Sequence, residues 1–352
     1  MFEASAVKAA VLYGREDVRV EDVPEKPLQC GEVRVQIEAA LTCGTDLKVF
    51  RRGYHARMIV PPAVFGHEFA GVISEIHPAT ADWKIGDRVV AANSAPCGSC
   101  PACRRRQENL CDDLLFLNGA YAESIVIPPR LTARNLLPLK PDTRFLDAAL
   151  TEPLACVVLG IQDLRLQPGE SVLILGAGPI GLMFLALALD AGCRVTVGGR
   201  GEARLDRARK LGATTAVVVP DSGDLSEVLT ASPGGYDVVV EAVGKPEVWE
   251  TAVRCVRKGG RVNFFGGCPS GTTVPLDTGL LHYSNLTLLA SFHHTPATIR
   301  RALALIERGV IRSADFVDGE TPLDDLPNLL QQMTQGNRAV KTLVRPPSSR
   351  NQ

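Results

Sequence analysis

The sequence has almost no net charge, because 38 basic residues face 39 acidic ones. Binding to nucleic acid or to an acidic membrane surface through charge would need a clear basic excess, so we expect neither partner. Residues Met1–Gly14 also lack a basic segment followed by an apolar run, which predicts no signal peptide and a cytoplasmic protein. We find no internal repeat, and 352 residues suffice for two domains at roughly 150 residues each.

One apolar run needs an explanation, since the 18 residues Val172–Leu189 carry no charge. That length is compatible with a membrane-spanning helix. Three glycines and a proline interrupt the run at Gly176, Gly178, Pro179 and Gly181. They divide it into a short strand, a tight turn and a buried helix, so we expect no membrane segment.

The pattern of secondary structure changes near Thr151. Before it, short β-like runs separated by turn signals predict an antiparallel, barrel-like domain, as at Val33–Ile37, Val89–Ala92 and Ser124–Ile127. After it, apolar strands alternate with helices, which predicts a doubly wound parallel sheet. A last strand at Val340–Val344 is expected to return to the first domain. We therefore predict a catalytic domain of residues 1–150 completed by 290–352, and a dinucleotide-binding domain of residues 151–289.

A glycine-rich turn joins the first strand of the predicted parallel sheet to its helix. It has the GxGxxG pattern and consists of Gly176, Ala177, Gly178, Pro179, Ile180 and Gly181. Glycines at these places allow a tight turn and close approach of a pyrophosphate, and the helix N-terminus offers free N–H groups to it. The position and the pattern together predict a dinucleotide site.

The second strand of this sheet ends without the carboxylate that usually binds the adenosine ribose. The sequence there reads Gly198-Gly199-Arg200, and Arg204 follows one helical turn later. A guanidinium attracts a 2′-phosphate that a carboxylate would repel. We therefore predict a preference for NADP(H) over NAD(H), while a solvated surface position for Arg200 is the alternative interpretation.

Four of the ten cysteines are crowded into one polar loop, at Cys97, Cys100, Cys103 and Cys111. Compact spacing of this kind predicts a metal site rather than disulfides. Four thiolates fill a tetrahedral zinc shell and leave no open position, so the predicted role is structural. The neighbouring Arg104, Arg105 and Arg106 are interpreted as a solvated face.

Three further short elements, which contain Cys43, His67 and Glu152, are weak signals when taken singly. Together with the features above, they match a known family. The sequence resembles the zinc-containing medium-chain alcohol dehydrogenases, within them the sorbitol and threonine dehydrogenase branch. The resemblance extends from about Val7 to Val344. The matching segments are CGTD at Cys43–Asp46, GHEFAG at Gly66–Gly71, GDRV at Gly86–Val89, the cysteine loop, EPL at Glu152–Leu154, GAGPIG at Gly176–Gly181 and EAVG at Glu241–Gly244.

The resemblance implies a GroES-like catalytic domain, a Rossmann domain and two zinc ions per chain. It implies that Cys43 and His67 bind the catalytic zinc, that Glu68, Glu152 or both complete its shell, and that Thr45 passes the substrate proton. Lys48 stands where many relatives have a histidine, either as a relay or as a surface lysine. Six residues could line the substrate pocket or simply pack or lie exposed: Tyr54, Leu117, Tyr121, His282, His293 and His294.

The implied reaction is reversible hydride transfer between an alcohol and NADP(H), or NAD(H). Polyols, cyclitols, sugars and hydroxy amino acids are the expected substrates, and a homo-oligomer, dimer or tetramer, is the expected assembly. One alternative is a zinc-free quinone or enoyl reductase of the same superfamily. Another is a non-enzymatic NADPH-binding protein, which would turn over no alcohol.

Overall fold

The computed structural model describes residues 6–55, 58–80, 82–219, 226–336 and 339–347. The chain divides into two compact units. The first unit consists of Met1–Pro153 together with His294–Gln352, and the second of Leu154–His293. The division at Pro153 falls inside the helix Thr151–Leu164.

The first unit opens with short strands and shorter helices. Its strands are β1 (Ala6–Gly14), β2 (Asp17–Pro24), β3 (Val33–Leu41), β4 (Ala63–Val64), β5 (Phe69–Ile76), β6 (Arg88–Ala91), β7 (Ser94–Ala95), β8 (Leu115–Phe116), β9 (Ser124–Ile127) and β10 (Leu136–Pro138). Its helices are α1 (Gly44–Arg52), α2 (Pro101–Arg104), α3 (Pro129–Arg134) and α4 (Phe145–Ala148), and then α5 (Thr151–Leu164) begins.

Strands and helices alternate in the second unit. The strands are β11 (Ser171–Leu175), β12 (Arg194–Gly199), β13 (Thr215–Val218), β14 (Tyr236–Glu241), β15 (Val256–Phe264) and β16 (Thr287–Ala290). The helices are α6 (Pro179–Asp190), α7 (Glu202–Lys210), α8 (Ser226–Thr230), α9 (Pro246–Cys255) and α10 (Thr278–Tyr283). The chain then returns to the first unit through α11 (Pro296–Glu307), β17 (Val317–Pro322), α12 (Leu326–Thr334) and β18 (Lys341–Arg345).

The main sheet of the first unit is built around β3. Among the described residues its order is β10-β6-β5-β3-β18-β17, and β9 also pairs with β3. β3 is antiparallel to β5, β9 and β18, whereas β17 and β18 are parallel. Residues of β3 such as Val33, Val35 and Ile37 are buried in an apolar core, which they share with Phe65 and Leu330. The C-terminal strand β18 is therefore an interior strand of this sheet.

The sheet of the second unit is parallel throughout its described strands, in the order β13-β12-β11-β14-β15-β16. β11 and β14 are buried along nearly their whole length, as expected for strands covered on both faces. The chain runs outward from β11 in one direction and from β14 in the other. This confirms the predicted doubly wound sheet, whose switch point between β11 and β14 is where such sheets bind ligands.

The long apolar run is divided as the sequence predicts. Its first residues lie in β11, its glycines form a turn, and the rest belongs to α6. Gly178 is the N-cap of α6 and Pro179 stands in the first turn, where proline is favoured. Across the described residues, no helix is both long enough and apolar enough to cross a membrane.

Candidate metal centres and cofactor loop

Cys43, His67 and Glu68 lie together in the first unit. Each residue offers one potential ligand atom, and these three atoms lie within 4.8 Å of one another. Cys43 is the N-cap of α1, and its Sγ accepts a hydrogen bond from the Thr45 amide at 3.4 Å. A thiolate, an imidazole and a carboxylate at this separation suit a zinc ion with an open position.

Asp46 orients His67, a role that the sequence alone does not indicate. Its Oδ1 lies 2.9 Å from His67 Nδ1, and its Oδ2 accepts a hydrogen bond from the Tyr121 hydroxyl at 2.6 Å. All three side chains are buried. Since Nδ1 is held by the carboxylate, Nε2 is the nitrogen left for a metal. Asp46 belongs to the CGTD segment and follows Cys43 by three residues, which was the available sequence signal.

Gly66 is required where Tyr121 packs. Its φ is 90°, in the left-handed region, and a Cβ at this position would lie 2.7 Å from the Tyr121 ring. The glycine thus lets the buried tyrosine reach Asp46. Tyr121 therefore lies against Asp46 in the packed interior of the first unit.

The pKa of His67 responds to opposing effects. Burial by itself lowers this pKa, but the negative charges of Asp46 and Cys43 and hydrogen bonds to both outweigh it, so the pKa lies well above its usual value. A metal binds only the neutral imidazole, and binding must therefore release this proton.

Glu68 has a buried cation as its partner. Lys341 Nζ donates hydrogen bonds to Glu68 Oε2 at 2.5 Å and to the Thr42 carbonyl at 3.0 Å. Glu68 is 0% exposed and Lys341 2%. Burial lowers the pKa of Lys341, but the hydrogen bond to Glu68 and the charges of Glu68, Cys43 and Glu152 together outweigh this effect, so the pKa is raised. The sequence gives no signal for this contact, because the two residues are 273 positions apart.

Glu152 lies in the first turn of α5 with a different neighbour. Its Oε1 is 3.6 Å from His294 Nε2, which also lies 3.0 Å from Asn93 Oδ1. In the described part of the chain, the potential ligand atoms of Glu152, His293 and His294 lie within 4.8 Å of one another. Glu152 does not belong to the group of Cys43, His67 and Glu68. Burial raises the pKa of Glu152 to about 7.

The remaining predicted residues of the catalytic site vary in exposure. Thr45 is half-buried in the first turn of α1, beside Cys43, whereas Lys48 on the same helix is exposed. Exposure favours the surface interpretation of Lys48. Tyr54 is 59% exposed, while His294 is only 2% exposed and lies against Glu152.

The four clustered cysteines form a second potential metal site. Their sulfurs all lie within 4.8 Å of one another. Cys97 Sγ is 4.0 Å from Cys103 Sγ, and Cys100 Sγ is 3.9 Å from Cys111 Sγ. These distances exclude S–S bonds of about 2.05 Å. Tetrahedral zinc with Zn–S bonds of about 2.3 Å separates its sulfurs by about 3.8 Å, so the arrangement fits a closed zinc site of four thiolates.

Backbone amides favour thiolates in this loop. Cys97 Sγ accepts hydrogen bonds from the Ser99 and Cys100 amides, each at 3.4 Å. These bonds, with the Ser99 hydroxyl, lower the pKa of Cys97 to about 6, whereas burial raises the pKa of Cys103 to about 12. Bound zinc would offset the latter cost, because it stabilises the deprotonated sulfur. Arg104, Arg105 and Arg106 are exposed around the loop, in agreement with a solvated face.

Side chains have no room at two glycines in and beside the glycine-rich loop of the second unit. A Cβ on Gly181 would lie 1.8 Å from the Gly176 carbonyl oxygen. A Cβ on Gly199 would lie 2.6 Å from Ala177 Cβ. The first restriction keeps α6 close to the turn, and the second lets the end of β12 pack on the loop. Gly176 itself has a φ of 119°, which side chains rarely adopt.

One of the two predicted arginines lies beside this loop. Arg200 is exposed and directly follows β12. Arg204 lies on α7, and its Nη1 is 3.9 Å from the position that a Cβ on Gly178 would occupy. A guanidinium thus lies beside the glycine loop, at the carboxyl ends of β11 and β12.

Comparison with known proteins agrees with these features. Residues 29–139 match the alcohol dehydrogenase GroES-like domain family. Residues 179–308 match the zinc-binding dehydrogenase family. D-altritol 5-dehydrogenase of Agrobacterium fabrum is 34% identical over 316 residues, covering 87% of this chain and 89% of its own. Sorbitol dehydrogenase of Bacillus subtilis is 29% identical over 350 residues, covering 97% of both.

Solved structures show the same likeness. A Sinorhizobium meliloti protein described as a zinc-binding dehydrogenase, solved bound to NADP, aligns with a TM-score of 0.88 and 30% identity over 97% of this chain and 100% of its own. An alcohol dehydrogenase of Thermus sp. ATN1 aligns with a TM-score of 0.86 and 29% identity, covering 96% and 99% of the two chains.

The fold and its matched families define a metal-dependent oxidoreductase that uses a nicotinamide nucleotide. The chain belongs to the zinc-dependent medium-chain alcohol dehydrogenase family. The predictions of family, fold class, enzyme class and reaction are therefore confirmed, including the GroES-like and Rossmann domains. The enzyme transfers hydride between an alcohol and a nicotinamide cofactor.

Proposed function

We propose that this enzyme reversibly oxidises a secondary hydroxyl group of a polyol or sugar to a ketone, with NADP(H) as its preferred cofactor. The observation that carries the proposal is the grouping of Cys43, His67 and Glu68 within 4.8 Å, in a chain whose glycine-rich loop has the Arg204 guanidinium beside it. Similarity to sorbitol and D-altritol dehydrogenases supports the polyol class. A similar L-threonine 3-dehydrogenase from Bacillus velezensis makes hydroxy amino acids the second candidate.

Each residue of the catalytic site has a proposed role. Cys43 and His67 hold the metal, with Asp46 fixing the imidazole so that Nε2 is the ligand. Zinc bound there supplies a Lewis acid for the substrate oxygen. Thr45 would relay the hydroxyl proton of the substrate towards solvent during oxidation and relay one back during reduction. A bound nicotinamide would accept or supply the hydride. Glu68 is the better placed carboxylate, and Glu152 is the second candidate.

The proposal includes a second zinc ion at Cys97, Cys100, Cys103 and Cys111. Sulfur separations of 3.9 and 4.0 Å support it. Metal analysis of the purified protein should find two zinc ions per chain, and a Cys43→Ala variant should keep one of them. We further expect a homo-oligomer, which light scattering would test.

The cofactor preference follows from Arg200 and Arg204. Hydrogen bonds between charged groups contribute about 1.5–3 kcal/mol each, or roughly ten- to a hundredfold in affinity. The NADPH/NADH ratio of kcat/KM should therefore exceed about ten, and Arg200→Ala should reduce the ratio by about tenfold or more. Arg209→Ala is the control, because Arg209 on the same helix as Arg204 pairs with Glu202 and Asp206.

The experiment combines both cofactors with a panel of polyols, sugars, cyclitols, hydroxy amino acids and their ketones. Turnover of polyols with NADPH formation supports the proposal. Faster turnover with NAD, or an Arg200→Ala ratio equal to that of Arg209→Ala, contradicts the cofactor assignment. Failure to oxidise any alcohol by the zinc-loaded enzyme contradicts the function itself.

A further inference from the structure

Lys341 is a buried cation beside the predicted ligands of the catalytic metal. Its ammonium contacts Glu68 Oε2 and the Thr42 carbonyl, and its side chain is only 2% exposed. Burying an ammonium is costly unless an opposite charge and hydrogen bonds offset the loss of water. Lysine and glutamate therefore depend on each other for their burial at this place.

The backbone fixes where the ammonium lies. Thr342, the next residue of β18, donates from its amide to Thr42 Oγ1 at 2.9 Å, and the Thr42 amide donates to the Thr342 carbonyl at 3.0 Å. The Leu41 amide in turn donates to the Glu68 carbonyl at 3.0 Å. Lys341 and Glu68 are thus held against the same short segment, residues 41–42, which leads into Cys43.

The two carboxylate oxygens of Glu68 have different surroundings. Oε2 accepts the hydrogen bond from Lys341, whereas Oε1 is buried and has no hydrogen-bond partner among the described residues. A buried carboxylate oxygen without a donor is unfavourable. A ligand atom of Glu68 also lies within 4.8 Å of those of Cys43 and His67. A metal ion held by these residues would give Oε1 its missing partner.

We infer that Lys341 is a positioning residue: its ammonium binds Oε2 of Glu68, so only Oε1 is left to bind the catalytic zinc. Glu68 is then a single-oxygen ligand that the metal can release, which preserves an open position for substrate. Lys341 also cancels part of the negative charge around the zinc, so the metal keeps its Lewis acidity. This inference rests on the proposed zinc site.

The test replaces the ammonium but keeps the length of the side chain, as Lys341→Met. Without its cation, Glu68 turns both oxygens to the metal. Zinc at this site should therefore bind about tenfold tighter or more, the range expected for one charged hydrogen bond. Competition with a chromogenic chelator measures the affinity, and the Cys43→Ala variant identifies which release step belongs to this site. The d–d spectrum of the Co²⁺-substituted protein should change with the coordination.

Lys8→Met is the matched control. Lys8 lies on β1 of the same unit and pairs with Asp324 at 3.1 Å, but it is 34% exposed. Its loss should leave the zinc affinity and the Co²⁺ spectrum unchanged. A purely structural role of Lys341 would lower stability without tightening zinc binding, so it predicts a different result from ours.

A second pair of variants keeps the inference testable if Lys341→Met does not fold. Glu68→Gln combined with Lys341→Met buries no lone charge. Because Lys341 sets the coordination through Glu68, this double variant should give the same Co²⁺ d–d spectrum as Glu68→Gln alone. Different Co²⁺ spectra of these two variants, or unchanged or weaker zinc binding in Lys341→Met, overturn the inference. Absence of alcohol turnover in the wild type contradicts only the proposed function, since zinc affinity is measured without substrate.

Discussion

Replacing Asp46 by asparagine tests how the catalytic metal site is organised. The carboxylate is 2% exposed, lies 2.9 Å from His67 Nδ1 and accepts the Tyr121 hydroxyl at 2.6 Å. Asparagine keeps the size but removes the charge that fixes the imidazole. Loss of such a supporting carboxylate lowers metal affinity by about 10- to 100-fold. A charged hydrogen bond of about 1.5–3 kcal/mol predicts the same range.

The expected loss depends on pH, because a proton competes with the metal at His67. Burial lowers the pKa of His67, but Asp46 and Cys43 together outweigh this effect and hold the pKa well above its usual value. In Asp46→Asn this pKa falls, which relieves proton competition. The zinc dissociation constant of the variant should therefore exceed that of wild type only slightly at neutral pH. The ratio of the two constants should grow as pH rises, until His67 is neutral in both proteins.

Chelator competition at several pH values measures this ratio. Asp324→Asn is the control, since it removes a carboxylate that is 62% exposed from an ion pair of the same unit. Zinc affinity that is equal in Asp46→Asn and wild type at high pH would refute the orienting role of Asp46. A ratio that falls with rising pH would refute the proton competition.

Three other substitutions test separate parts of the chain. Cys100→Ala should remove one zinc per chain and lower Tm, while folded molecules keep alcohol turnover; unchanged metal content contradicts the four-thiolate site. Gly181→Ala would place a Cβ 1.8 Å from the Gly176 oxygen, so NADPH binding followed by fluorescence should weaken more than tenfold. Unchanged NADPH affinity would contradict the need for close approach of α6 to the turn. Burial raises the pKa of Asp237, but hydrogen bonds from Ser171 and Arg257 outweigh it and bring the pKa to about 2. Ionised Asp237 should thus add about 2 kcal/mol to the free energy of unfolding above pH 4, and this contribution should be lost as pH falls towards 2. Free energies of unfolding in urea should therefore differ between wild type and Asp237→Asn at pH 6 and converge near pH 2.

The sequence predicts those features whose signals are local. Apolar strands that alternate with helices predict the parallel sheet, because strands covered on both faces are apolar along their length. The glycines at 176, 178 and 181 mark the cofactor turn, because the structure leaves no space for a Cβ at Gly181. The cysteine loop is equally local, since its four sulfurs come from 15 consecutive residues, 97–111.

Tertiary structure alone decides the surroundings of the predicted catalytic residues. Lys341 reaches Glu68 only because β18 inserts beside β3, and His294 meets Glu152 from a distant part of the chain. No motif near Glu68 marks a lysine 273 residues away, because a buried ion pair is selected by burial and geometry rather than by spacing. The sequence by itself identifies the metal-ligand residues. The hydrogen-bond partners, charges and orientation of these residues depend on which strands become neighbours in the folded protein.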